Sequence, residues 1–293
     1  MKADALPRTI QDTCTQDAVR LTAALALDSS AARIEVQCLL QAVLQVNRAY
    51  LLTHPERYLD TEQHAQYNAL FERRLNGEPI AYILGEREFF GLTFKVTPDT
   101  LIPRPETELL VELALQRIPL DEQFCVLDIG TGSGAIALSI AHTRPDAKVL
   151  ACDASPAALE VAHENAQRLG VANVAFVQSD WFAALEAQRF DLIVSNPPYV
   201  ASGDPHLQSG DVRFEPASAL ASGDDGLRDI RHIVTHAQAH LQPGGWLLLE
   251  HGYNQAARVR ELLRQSGFCE VFSASDLAGI ERVSGGVAYS RCI

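Results

Sequence analysis

The sequence has no apolar run approaching the ~18 residues that a membrane-spanning helix requires, and its opening stretch, MKADALPRTIQD, lacks the hydrophobic core of an export signal. A soluble, cytoplasmic protein is therefore the expectation. It also has no CxxC pair. The six cysteines, Cys14, Cys38, Cys125, Cys152, Cys269 and Cys292, are scattered, several of them inside apolar stretches. That excludes a zinc ribbon or disulfide framework and predicts reduced core residues. No Lys- or Arg-rich segment occurs, and 37 acidic against 24 basic residues leave a formal net charge of -13. Broad contact with nucleic-acid backbones, which depends on cationic side chains, is disfavoured. Internal repeats and low-complexity segments are absent as well. What remains is an ordinary globular composition, 47% hydrophobic and 21% charged over 293 residues, long enough for two domains with real cores.

The periodicity divides the chain. Residues 1–85 read as a small helical bundle: "SSAARIEVQCLLQAVLQV" places Ile34, Cys38, Leu39, Val43 and Val46 at helical spacing, so these are the expected core positions. Asp60 opens a further helix with Gln63 three residues on and Gly77 beyond its end. In "EREFFGLTFKVTP" the period changes to two, as in a hairpin, and residues 86–100 read as a linker hairpin. Residues 101–293 then begin with "LIPRPETE", where Pro105 is well placed to start a helix. From there "CVLDIG", "AKVLACD", "VAFVQSD", "FDLIVSN" and "GWLLLEHG" alternate with helical patterns such as "SPAALEVAHENAQRLG". This alternation predicts an α/β fold with a doubly wound, Rossmann-like parallel sheet, its ligands held at the carboxyl ends of the strands. One irregular insert, Ala201 to Asp225, is rich in Ser, Gly, Asp and Pro; loops of that length are often functional.

"LDIGTGSGAIAL" is a strand, a glycine-rich turn and a helix. Gly130, Thr131, Gly132, Ser133 and Gly134 form a loop that lets backbone approach a ligand closely. Gly130, Gly132 and Ala135 also satisfy the loose dinucleotide pattern, so NAD competes as a reading. The next strand ends at Asp153, about 20 residues on, where a carboxylate accepts ribose hydroxyls of either cofactor. Two features separate them. Asp128, beside the loop, suits a positively charged amino group better than a pyrophosphate, and Asp180 with Trp181 ends the third strand, able to bind an adenine amino group and cover its ring. Alternatively, Asp128 and Asp180 merely cap the helices that follow. The combined pattern resembles the class I methyltransferases, which bind S-adenosyl-L-methionine.

The fourth strand runs into Asn196-Pro197-Pro198-Tyr199. Two prolines fix φ and remove two N–H donors, giving a stiff turn whose carbonyls stay free. A planar amino group is a poor nucleophile because its lone pair is delocalised. The Asn196 side-chain oxygen and the Pro197 carbonyl could accept its two hydrogens, with Tyr199 packing on the planar group, and these bonds would strengthen as charge develops on nitrogen. No general base is evident. A proline-rich turn without function is the bland alternative.

"GEREFFGLTFKVTPDTLIPRPETELLVE", "LDIGTGSGAIALSIA" and "VSNPPYV" together resemble the protein-glutamine methyltransferases of peptide-chain release factors, the PrmC or HemK family. The likeness runs from about Gly77 to the C-terminus, and the helical N-terminal part agrees in size and position. It implies an enzyme that uses S-adenosyl-L-methionine to methylate the side-chain amide of the glutamine in the Gly-Gly-Gln motif of class I release factors, with the helical domain helping to dock that protein. Carried over, Gly130 to Gly134 would form the cofactor loop, Asp153 the ribose ligand, Asp180 and Trp181 the adenine pocket, and Asn196 to Tyr199 the substrate clasp. Arg104 to Glu108 resembles the segment bordering the cofactor, with no assignable individual roles. Phe90 stands where many relatives carry tryptophan, which keeps the aromatic character.

His232, His236 and His240 fall at helical spacing, but "HAQAH" lacks the Glu of a zinc-peptidase motif, and a solvated helix face is expected, with no metal site. His251 could line the crevice. Three rival functions share parts of the pattern. An adenine or guanine methyltransferase acting on DNA or RNA would share Asn196 to Tyr199 but needs a basic groove. A sensor of S-adenosyl-L-methionine would not need the clasp, and a dehydrogenase would need a hydride-transfer constellation that is missing.

Overall fold

The computed structural model describes residues 8–120 and 122–289. It separates into two compact units, one of residues up to Gly85 with Ser209–Phe214, the other of Glu86–Gln208 with Glu215 onward.

The first unit is a bundle of α1 (Ile10–Leu25), α2 (Ser29–Leu44), α3 (Arg48–Thr53), α4 (Thr61–Leu75) and α5 (Ile80–Leu84). Polar side chains fix the starts: Thr9 and Asp60 close reciprocal capping boxes with Asp12 and Gln63, satisfying N–H groups that the helix cannot. The buried face of α2 is Ala32, Val36, Leu39, Leu40 and Leu44, packed on α1 and α4. Ile34, expected in the core, is instead exposed. A helix can carry two neighbouring apolar stripes, and the packing partners choose one. Arg74, fully enclosed, is tolerated because Glu35, Asp211 and the carbonyls of Gly77 and Glu78 accept its protons. The Asp211 bond ties part of the long insert into this unit.

The second unit opens with the hairpin β1 (Glu86–Phe89) and β2 (Leu92–Lys95), joined at Phe90–Gly91 by a turn with both residues left-handed. Phe89 and Phe94 are part of its core. After one tight turn started by Pro105 come α6 (Glu108–Leu115), β3 (Cys125–Ile129), α7 (Ala135–Thr143), β4 (Lys148–Asp153), α8 (Pro156–Leu169), β5 (Val174–Gln178), β6 (Phe190–Ser195), α9 (Arg228–Ala237), β7 (Leu241–Glu250), α10 (Ala256–Gln265), β8 (Phe268–Ser275) and β9 (Glu281–Ala288). The sheet order is β5-β4-β3-β6-β7-β9-β8. The first five strands are parallel, while β9 pairs antiparallel with β7 and β8. This is the doubly wound α/β sheet expected, with an antiparallel edge added. Because helices cover both faces, successive strand residues such as Val126 and Leu127, or Ile193 and Val194, enter opposite cores. Such strands are predominantly apolar, which made them visible in sequence.

Among the described residues no helix is long and apolar enough to cross a membrane. Cys14 and Cys152 are buried, and Cys38 and Cys125 partly so, but Cys269 is exposed. It lies on β8, the outermost strand, which corrects its expected place in the core. Cys292 lies outside the described residues.

Candidate active site

The chain leaves β3 for β4 and β5 on one side, then returns to β6 on the other. That reversal opens a crevice beyond the carboxyl ends of β3 and β6. A cavity of about 300 Å³ lies there, lined by Gly130, Thr131, Gly132, Ser133, Asp153, Asp180, Trp181, Asn196 and Pro198, and also by Arg104, Thr107 and Arg228.

Each wall has a local cause. The loop after β3 hangs on β4, since the Gly130 and Thr131 N–H groups both donate to the Cys152 carbonyl at 2.9 Å. Asp153 stiffens the same corner: its Oδ2 accepts the Gly132 N–H at 2.9 Å and its Oδ1 the Ser155 N–H at 2.9 Å. These bonds aim the carboxylate while leaving lone pairs for a ligand. Trp181 adopts a left-handed backbone with φ of 51°, held by bonds from Ser179 Oγ and Cys152 Sγ to its carbonyl. Its ring stands over Gly130.

Four predicted residues do not line the cavity. Gly134 starts α7, where φ is +84° and an added Cβ would come within 2.9 Å of Leu138 and 3.2 Å of Ala162. Pro197 is buried in the turn. Asp128 lies beneath the loop, fully buried. Its Oδ2 accepts the Thr131 hydroxyl at 2.6 Å and the Ala137 N–H at 3.2 Å. Its Oδ1 has no partner among the described residues. Burial pushes its carboxyl up to about 7, against the two donors, which favour the charged form. Tyr199 points away as well, its hydroxyl 3.3 Å from Glu250 Oε1, and burial raises its pKa.

Two residues of the sequence reading acquire partners that it did not supply. Asn196 Nδ2 donates to the Thr107 hydroxyl at 3.2 Å. Arg104 pairs with buried Glu215, whose other oxygen accepts the Ile102 N–H at 3.0 Å. Glu250, at the end of β7, is buried, and burial pushes it up to about 7 although the Thr107 and Tyr199 hydroxyls and Arg282 favour its charge. The only sequence signals for Thr107 and Glu250 were the segment Arg104 to Glu108 and a polar strand end. His251 is enclosed away from the cavity, bonded to Ser284 Oγ at 2.8 Å. His232 and His236 are exposed, with rings 4.4 Å apart, and His240 stacks on Phe182. No group of three or more potential metal ligands occurs among the described residues.

The Methyltransferase small domain family matches residues 106–223, and the PrmC N-terminal domain family matches residues 18–85. Among solved structures, the chain is similar to a methyltransferase from Pyrococcus furiosus. Its TM-score is 0.52 at 21% identity, covering 75% of this chain and 98% of that one, a likeness of fold alone. The release factor glutamine methyltransferase of Vibrio cholerae is 51% identical across 87% of this chain and 90% of its own length. That of Burkholderia pseudomallei is 54% identical across 92% and 95%. Likeness of this extent spans both units, and the chain belongs to the release factor glutamine methyltransferase family.

Proposed function

We propose that this chain transfers a methyl group from S-adenosyl-L-methionine to the side-chain amide nitrogen of the glutamine in the Gly-Gly-Gln motif of class I peptide-chain release factors. The observation that carries this reading is a shared cavity: the glycine loop, Asp153, Asp180 and Trp181 line the same space as Asn196 and Pro198. A cofactor and an amide clasp that face one cavity can bring a donor methyl and an acceptor nitrogen into line.

The residues fit the cofactor. Asp128 keeps one buried oxygen without a partner, which suits an ammonium group nearby, and Asp153 retains acceptor capacity for ribose hydroxyls. Asp180 and Trp181 would hold the adenine. When bound, S-adenosyl-L-methionine supplies an electrophilic methyl on sulfur. The chain's own contribution is aim and charge. With Nδ2 of Asn196 given to Thr107, its Oδ1 is the atom left to accept a substrate N–H, and the Pro197 carbonyl is the second acceptor in this reading. As the amide nitrogen gains positive charge its N–H groups become stronger donors, so both bonds favour the transition state over the ground state. The proton is then lost to water without a dedicated base. The helical unit is assigned to docking the release factor.

The test is methyl transfer from labelled S-adenosyl-L-methionine to purified release factor, beside a form with the Gly-Gly-Gln glutamine replaced by alanine and a nucleic-acid control. Label on the intact factor alone supports the reading. Label on the nucleic acid would make Asn196 a base clasp, and no label on any of them would leave a cofactor sensor.

A further inference from the structure

The glycine loop and the clasp leave the sheet side by side, the loop after Ile129 at the end of β3 and the clasp after Ser195 at the end of β6. These two strands are paired from Val126 and Leu192 up to Asp128 and Val194. One step further on, where the chains part, a side chain joins them: the Ser195 hydroxyl donates to the Ile129 carbonyl at 2.6 Å, and both residues are buried. An O–H···O bond of that length is at the tight end of the normal range. A serine hydroxyl reaches only one atom beyond its Cβ, so the bond holds the two strand ends at a nearly fixed spacing. Gly130 follows one partner and Asn196 the other.

Each half of the site also has supports of its own. The loop hangs on β4 through the Gly130 and Thr131 N–H groups, and Asp153 holds Gly132. The clasp is held at its start by the bond from Asn196 to Thr107 and at its end by Gln255 Nε2, which donates to the Tyr199 carbonyl at 3.0 Å. Between these points the two prolines allow little adjustment. Loss of the Ser195 bond therefore leaves a loop and a clasp that each keep their shape but shift against one another. We infer that Ser195 is a positioning residue whose hydroxyl, by joining β3 to β6 at the mouth of the cavity, fixes the distance between the methyl donor and the acceptor nitrogen. What the loop and the clasp hold rests on the function proposed above; the tie between them is a property of this chain alone. Ser195 itself does not line the cavity, so it acts on transfer and not on the binding of either ligand.

The experiment compares, in the full chain, the wild type with S195A, which removes the hydroxyl, and S195C, which fills the space with a weaker donor. For each, turnover and KM on release factor, affinity for S-adenosyl-L-methionine by calorimetry, and the separation of the Gly130 and Asn196 Cα atoms in crystal structures are measured. Turnover of S195A should fall about 10- to 100-fold, since a misplacement of about 1 Å costs on the order of 100-fold, while KM and cofactor affinity stay within about twofold. S195C should fall with it. In both variants the separation should widen or become heterogeneous. An S195A turnover close to that of the wild type, a loss carried by KM or by cofactor affinity, an S195C as active as the wild type, or a separation unchanged in S195A would each overturn the inference and leave the function standing. A wild type that labels no release factor, with strand ends that part in S195A, upholds the tie and removes the function.

Discussion

Asp128 offers a measurable link between burial and cofactor binding. It is completely enclosed, one carboxyl oxygen has no partner among the described residues, and burial lifts its pKa from 3.8 to about 7. The substitution D128N keeps the shape and an acceptor for the Thr131 hydroxyl and Ala137 N–H while removing the charge. In the unfolded chain the carboxyl releases its proton at the lower value, in the folded chain at the higher one. Between the two the folded state binds the extra proton, so wild-type stability falls as pH rises through this window, and the loss is complete above the folded value. A difference of roughly three pKa units, at about 1.4 kcal/mol each, sets an upper limit of about 4 kcal/mol. Free of cofactor, D128N should therefore be more stable than the wild type above neutral pH, and the gap should close in acid. Glu250 is raised in both proteins and cancels in the comparison. In the proposed function the cofactor's ammonium pairs with Asp128; on that reading wild-type affinity should increase as pH rises through 7 and D128N should bind more weakly. Urea unfolding at a series of pH values, with and without S-adenosyl-L-methionine, and calorimetric titration measure both effects. Identical pH slopes in the two proteins would refute the cost assigned to Asp128, and unchanged affinity would refute its pairing with the cofactor.

Three further outcomes are expected. N196A should abolish methyl transfer while cofactor affinity by calorimetry stays within about twofold, because the hydrogen bond it loses is to Thr107 rather than the glycine loop. G226A should destabilise the chain by about 2–5 kcal/mol, combining a left-handed alanine with overpacking, since at φ of +71° its Cβ would fall 2.2 Å from the Tyr199 carbonyl oxygen and 2.8 Å from Gln255 Nε2. Thermal unfolding reads that loss, and turnover at permissive temperature should drop with it while cofactor affinity does not. D153A removes the oxygen that holds the Gly132 N–H and the one that holds the Ser155 N–H, and should weaken cofactor binding on the order of 100-fold or more, the worth of two charge-assisted bonds to the ribose in the proposed function; an affinity change below about fivefold would take Asp153 out of the site.

The parts of the fold that were legible are those whose cause is close in the chain. Five parallel strands announced themselves as apolar runs, and for β3, β4, β6 and the end of β7 the cause is that both faces are covered, while α4 announced its start through Asp60 and Gln63. The β8–β9 pair did not, because an outer strand with partly exposed faces mixes Glu, Ser and Cys with its apolar residues. Nor did the exposure of Ile34, which depends on where α1 and α4 lie against α2.

The active site divides along the same line. By itself the sequence determined the glycine loop, the acidic strand ends and the stiff Asn-Pro-Pro-Tyr turn, because backbone freedom and proline rings act within a few residues. Only the tertiary structure decided that Asn196 answers to Thr107, 89 residues away, and Tyr199 to Glu250, 51 residues away. It also decided that Asp128 lies under the loop and that Tyr199 turns from the cavity. Hydrogen-bond direction and the charge state of a carboxyl depend on what surrounds them in space, and burial by distant segments is what sets both.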